Sequence, residues 1–424
     1  MSASLLFTLV FAVFLLLTTL TRFWLAQRQM RYVTAHRQAV PSEFAEKISL
    51  ADHQKAADYT CAKTRFALVE LLFSVAVTVG FTLLGGLDYL NQTLRIYLGL
   101  GMLAQLGLFV SVGLVSGLLD LPFSWIRQFK LEAQFGFNRM TPALFIADLV
   151  KGALLGAAIG LPLLWVILWL MQSLGDQWWW AAWLVWVGFN LLALVLFPTL
   201  IAPLFNKFVP LDQAELKARI EGLLSRCGFQ SQGVFVMDGS KRSSHGNAYF
   251  TGLGKNKRIV FFDTLIERLQ PAEIEAVLAH ELGHYKHKHI LKRIIWSFAA
   301  SAVLFAALGY LVKQSWFYTG LGVTPSLTSA DNALALILFF MALPVFTFFF
   351  APLSSIFSRK HEFEADAFAC ANTSGQDLAN ALIKLYQDNA ATLTPDPVHS
   401  AFYDSHPPAL QRIARIATNT AQPS

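Results

Sequence analysis

A chain that enters lipid must satisfy every backbone N–H and C=O from within itself, which leaves it helices or closed barrels. Seven stretches of this sequence are apolar and long enough to impose that choice. The first, Leu5 to Trp24, is interrupted only by threonines and by Arg22 near its end, and it supplies the roughly 20 residues a helix needs to cross a bilayer. Others follow at about Phe66 to Leu87, Ile96 to Leu119, Leu149 to Met171, Trp178 to Phe197, Ile294 to Val312 and Ala333 to Ile356. A cleavable signal peptide is the competing reading of the first run. It is disfavoured because no basic stretch precedes the run and its apolar part exceeds the usual length.

Composition agrees. Of 424 residues, 55% are hydrophobic and only 14% charged, against about 25% charged in ordinary globular proteins. The net charge of +6 is modest and follows the span flanks. Eight Lys and Arg fall between Arg22 and Arg65, only Arg95 lies near Asn91, and Arg127, Lys130 and Arg139 follow the third run. None lies around Gly175 and Asp176, Lys207 opens a basic segment, Lys313 stands alone, and Arg359 with Lys360 follow the seventh run. This alternation places every charge-rich segment on the cytoplasmic side and the amino terminus opposite. No basic patch interleaved with aromatics is present, so no nucleic-acid partner is expected. Cys61, Cys227 and Cys370 are scattered and odd in number, which suggests neither a disulfide framework nor a cysteine metal site.

The largest soluble stretch runs from about Asn206 to Lys292. Asp212 to Cys227 reads as an amphipathic helix with Leu216, Ile220, Leu223 and Leu224 on one side. Gly233 to Met237, Asn247 to Thr251 and Arg258 to Phe262 read as short strands, the last two joined by a turn at Gly252 to Lys257. Then comes His280-Glu281-Leu282-Gly283-His284. Pro271 and Glu273 suit a first turn, and Ile274, Val277, Leu278 and Leu282 form a stripe, so this HExxH lies on a helix. Two imidazoles four residues apart share a face and can hold one Zn²⁺, while Glu281 beside them can take a proton from water. A catalytic zinc needs a third protein ligand. Glu362 and Asp366, again four apart, can supply a ligand and an acceptor for a ligand histidine's other ring nitrogen. His361 is a rival by type, but it lies about 100° around the helix from Glu362, and Glu364 points elsewhere. Asp377 to Gln387 and Pro408 to Thr418 read as tail helices, and Gln422-Pro423-Ser424 is no KDEL-type tag.

At these motifs the sequence resembles the integral-membrane CAAX prenyl proteases, zinc metalloendopeptidases of the gluzincin type. The likeness extends to Phe135-Gly136-Phe137-Asn138-Arg139-Met140-Thr141, Pro203-Leu204-Phe205-Asn206-Lys207-Phe208, Asn247-Ala248-Tyr249, and Ser405-His406-Pro407-Pro408 with Arg412-Ile413. The resemblance implies one Zn²⁺ per chain on His280, His284 and Glu362, with Glu281 as general base and Asp366 as the carboxylate behind a ligand. It implies that Asn247 and Ala248 align the substrate backbone, that His406 stabilises the oxyanion, and that Arg412 organises the site. It also implies a chamber inside the ring of spans.

The expected fold is mainly α: a polytopic membrane protein with about seven transmembrane helices and a small α+β cytosolic metalloprotease domain. Residues 1–205 would form the membrane domain with five spans, and 206–424 the metallopeptidase domain with two more. The expected function is C-terminal processing of prenylated proteins or peptides in a bacterial inner membrane or the endoplasmic reticulum. A quality-control protease acting on unprenylated substrates is the alternative. A transporter or channel is the rival from another class, and it leaves the metal motifs unexplained. His287 and His289 are expected at a basic helix end facing lipid headgroups, and His36, His53, His245 and His399 at the surface. Glu70, Asp148 and Lys151 are expected either to line a wet interior or to pair near the interface.

Overall fold

The computed structural model describes residues 1–231, 233–251 and 258–421; the expected turn at Gly252 to Lys257 and the last three residues lie outside them. Seven helices among the described residues are long and apolar enough to cross a membrane: Ala3–Ala35, Leu50–Phe81, Met102–Glu132, Pro142–Ser173, Gly175–Phe205, His289–Leu311 and Asn332–Asn372. Most outrun the apolar stretches that reveal them. A helix of 33 residues is about 50 Å long, whereas the hydrocarbon layer is about 30 Å thick, so these helices project well beyond the bilayer. The polar end of the seventh carries Glu362 and Asp366.

The boundary between the second and third spans differs from the expectation in kind. The second ends at Phe81 and the third begins at Met102, with a separate helix, Gly86–Leu98, between them. Gly85 and Gly99 flank that helix at φ 76° and 74°, a left-handed region that side chains disfavour and that ends one helix so the next can turn away. Hydropathy alone merges this short helix with its neighbours. Of the three span charges singled out, Glu70 pairs with Arg127 and Asp148 with Arg242 at 2.8 Å, while Lys151 donates to the carbonyl of Leu204 at 3.2 Å.

Only the seventh span is core-like. Its apolar window is 56% buried, against 0–22% for the others, and Leu334, Ala335 and Leu338 lie inside a cluster with Phe11, Leu108, Leu168 and Trp178. A second core lies in the polar half. There Leu216, Ile220 and Leu223 of helix Ala214–Arg226, Ile259 and Phe261 of the sheet, and Ile274, Leu278 and Leu282 of helix Pro271–Lys286 pack together.

The sheet has strands β1 (Phe208–Pro210), β2 (Val234–Met237), β3 (Ala248–Thr251) and β4 (Arg258–Phe262), in the order β1-β2-β4-β3. β2 runs parallel to β4, and β1 and β3 are antiparallel to their neighbours. The sequence misses β1, which has three residues and ends on a proline. β3 is an edge strand, and the Asn247 carbonyl just ahead of it accepts the Phe262 N–H at 2.9 Å.

Helix Pro271–Lys286 starts as expected. Gln270 and Glu273 form a reciprocal capping box with Pro271 in the first turn. Glu273 is 5% exposed and pairs with Lys384 of the tail helix Gly375–Asp388 at 2.7 Å. This helix crosses the polar end of the seventh span in direct contact. A Cβ on Gly283 would meet the Cα of Ala365 at 2.8 Å and its carbonyl oxygen at 3.0 Å, so glycine alone fits this crossing. Gly283→Ala should therefore cost about 1–3 kcal/mol by overpacking. Gly152→Ala, with nothing within 4 Å of the added carbon, should cost nothing. Thermal unfolding in detergent measures both, and equal behaviour would refute the crossing.

Candidate metal centre

The crossing at Gly283 delivers three side chains from two helices to one point. His280 Nε2 lies 3.1 Å from His284 Nε2, His284 Nε2 is 3.2 Å from Glu362 Oε1, and His280 Nε2 is 3.5 Å from Glu362 Oε2. Four ligands at the corners of a tetrahedron with metal bonds of ~2.05 Å stand about 3.3 Å apart. The two imidazole nitrogens match that edge, and each has a different oxygen of the Glu362 carboxylate at a similar spacing. Among the described residues this is the one group of three or more His, Cys, Asp or Glu side chains spaced to hold an ion.

The atoms behind the donors are equally ordered. Asp366, 1% exposed, lies 2.8 Å from His280 Nδ1 and accepts from the Arg412 guanidinium at 2.9 Å (Nε to Oδ2) and 2.6 Å (Nη2 to Oδ1). Arg412 Nη1 is also 3.7 Å from Glu362 Oε2. Glu362, Asp366 and Arg412 are all buried, so the cluster carries one more negative than positive charge in a dry setting. Such an imbalance is expensive unless a cation offsets it, and a divalent metal among these donors does so. Burial by itself lowers the His280 pKa, but hydrogen bonds to Asp366 and Glu362 outweigh it and raise it to about 9.

His406 approaches from the loop before helix Ala409–Ala421, its Nδ1 2.7 Å from Glu362 Oε2. It also lines a cleft of about 280 Å³ together with Asn247, Ala248, His280, Glu281 and Arg412. Every site residue singled out from the sequence thus meets here: the three donors, Glu281, Asp366, Arg412, His406 and the start of the edge strand. The rest of the lining is largely apolar, with Leu265, Val277, Leu378, Leu382 and Leu385.

Some expectations need correction. His289 is not a headgroup-facing residue: it is 4% exposed, with its Nε2 2.8 Å from Glu364 Oε2. The sequence offers no hint of this because Glu364 lies 75 residues away. His361 is stacked on His289 rather than joining the donors. His53 is buried at 1% exposure against the carbonyl of His36 at 2.9 Å. His245 is half-buried, its ring stacked on Phe137 and its Nδ1 3.0 Å from Asn389 Oδ1.

Metal binding must displace the proton that this environment favours on His280. Below a pH of about 9, the imidazole's raised value, metal affinity should therefore fall by about tenfold per unit for that one proton, as chelator competition across pH would show. A flat profile would contradict it. Arg412→Ala leaves the Asp366 charge buried with only the His280 ring as partner, which should destabilise the protein by about 3 kcal/mol in thermal or denaturant unfolding.

Residues 29–207 match the family model described as CAAX prenyl protease N-terminal, five membrane helices, and residues 210–420 match that of peptidase family M48. CAAX prenyl protease 1 of Saccharomyces cerevisiae is 35% identical over 408 residues, which is 89% of this chain and 88% of that protein. The CAAX prenyl protease 1 homologues of Dictyostelium discoideum and Homo sapiens are 35% and 32% identical, covering 96% and 93% of this chain and 96% and 92% of their own lengths. The crystal structure of S. mikatae Ste24p aligns over 97% of this chain and 99% of that one, with a TM-score of 0.89 and 31% identity. With both halves matched and relatives above 30% identity spanning nearly all of it, the chain belongs to the CAAX prenyl protease family, membrane-embedded metallopeptidases of family M48.

Proposed function

We propose that this protein cleaves peptide bonds near the carboxyl terminus of prenylated CAAX substrates, with one zinc ion held by His280, His284 and Glu362. The observation that carries the reading is the convergence of two imidazole nitrogens, 3.1 Å apart, on the Glu362 carboxylate, whose Oε1 and Oε2 lie 3.2 Å from His284 and 3.5 Å from His280, beside Glu281 and an open strand edge. Two imidazoles and a carboxylate form a donor set suited to zinc. When bound, zinc polarises a scissile carbonyl and makes water a nucleophile near neutral pH.

The protein's own residues do the rest. An extended substrate pairs with β3 along its free edge, where Asn247 and Ala248 border the cleft, and this sets the scissile bond in place. Glu281 accepts a proton from the attacking water and returns it to the leaving amine. His406, whose Nδ1–H is held by Glu362, can donate from Nε2 to the developing oxyanion as an imidazolium, with a hydrogen on both ring nitrogens. Asp366 and Arg412 fix the plane and tautomer of His280. The apolar wall of Leu265, Val277, Leu378, Leu382 and Leu385 suits the aliphatic residues of a CAAX end.

The membrane half, 1–205, is read as a wall and 206–424 as the metallopeptidase part. The second and fifth spans bury none of their apolar windows, which suits helices with lipid on one face and a hollow interior on the other. The loop charges support a site on the cytoplasmic side, in the endoplasmic reticulum or a bacterial inner membrane.

Full-length protein in detergent, given a farnesylated CAAX peptide and its unprenylated counterpart, tests the substrate. Preference for the farnesylated peptide, abolished by chelator and restored by zinc, is expected; equal cleavage of both would favour quality control instead. Glu281→Gln should retain zinc and lose about 10²–10⁴-fold in kcat. His406→Ala should lose about 10²–10³-fold with little change in metal content.

A further inference from the structure

His284 Nδ1 is the ring nitrogen that faces away from the donor cluster. A ligating imidazole needs a partner at its other nitrogen to hold its tautomer and plane. For His280 that partner is Asp366. For His284 it is another histidine: His284 Nδ1 lies 3.1 Å from His289 Nδ1, and His289 Nε2 lies 2.8 Å from Glu364 Oε2.

Local structure holds this arrangement. Lys288 sits at φ 57°, a sharp turn between helix Pro271–Lys286 and the sixth span, which places His289 back against the end of the helix it has just left. Its ring is buried, stacked on His361 with centroids 4.0 Å apart and planes 14° apart.

The hydrogen placement follows from donor chemistry. A carboxylate only accepts, so a neutral His289 carries its hydrogen on Nε2 and gives it to Glu364. Its Nδ1 is then a lone pair and must accept from His284 Nδ1–H. That leaves the lone pair of His284 on Nε2, the atom facing His280 and Glu362. We propose that Glu364 and His289 form a hydrogen-bonded relay that fixes His284 in its metal-binding tautomer and plane. His289 is thus a positioning residue that acts through His284, and the inference rests on the metal-centre reading above.

The test uses metal-free full-length protein in detergent and cobalt(II) alone, with affinity read from visible absorption against a competing chelator. His289→Phe keeps the flat ring and its stacking but removes the acceptor, and should weaken binding about 10–100-fold. His289→Asn places an amide oxygen where Nδ1 stood and should restore most of the affinity. Glu364→Leu should also weaken binding, and the His289→Phe, Glu364→Leu double variant should lose no more than His289→Phe alone. Wild-type affinity in His289→Phe, equal losses in Phe and Asn, or additive losses in the double variant would each overturn the relay. Should His289→Phe fail to fold, Glu364→Leu against wild type decides, since that side chain is 33% exposed and not part of the core. His284→Ala separates the two readings. If it binds cobalt as the wild type does, the metal centre itself is wrongly placed; if it alone loses binding, only the relay fails.

Discussion

Two helices touching at Gly283 and Ala365 set the geometry on which the rest of the site depends. An HExxH segment can aim only two imidazoles at one point, and the third donor must come from elsewhere in the chain. Here it arrives on the polar end of the seventh span, and the donor atoms meet only because no side chain separates the two backbones. A long membrane helix is a stiff anchor for such a meeting. The carboxylate of Glu362 is fixed relative to the bilayer by the most buried span of the molecule, and the histidines are fixed relative to Glu362 by the crossing.

Electrostatics then selects what can occupy the meeting point. Glu362 and Asp366 are buried in a region where an unpaired charge would cost several kcal/mol. Arg412 neutralises one of them through a two-pronged contact. The remaining negative charge faces two imidazole nitrogens, an environment that draws a proton or a cation. The raised proton affinity of His280 is the metal-free expression of the same field. Both histidines of the HExxH segment are backed by a carboxylate, directly at His280 and through a second imidazole at His284.

Much of this was legible in the sequence. Apolar runs reveal spans because lipid leaves the backbone no alternative, and the HExxH and Glu362–Asp366 pairs reveal their faces because helical spacing is fixed. The ends of the spans were not legible. Helices such as Ala3–Ala35 and Asn332–Asn372 continue past the bilayer as amphipathic or polar rods, where hydropathy falls but hydrogen bonding does not. The short helix Gly86–Leu98 was absorbed into its neighbours for the same reason. The burial of His289 and His53 leaves no local trace in the sequence: the partner of His289 is 75 residues away, and that of His53 is the His36 carbonyl just past helix Ala3–Ala35. The edge strand β3 is visible from its alternation and its turn residues, but that its first residue, Ala248, lines the cleft with Glu281 is a property of the assembled fold.

X-ray absorption at the zinc edge of the zinc-loaded, full-length protein tests the central claim most directly. The account predicts two imidazole nitrogens and carboxylate oxygen at about 2.0–2.2 Å, with no sulfur, and the loss of one imidazole contribution in His284→Ala. A shell without imidazole scattering, or one unchanged by that substitution, would contradict it.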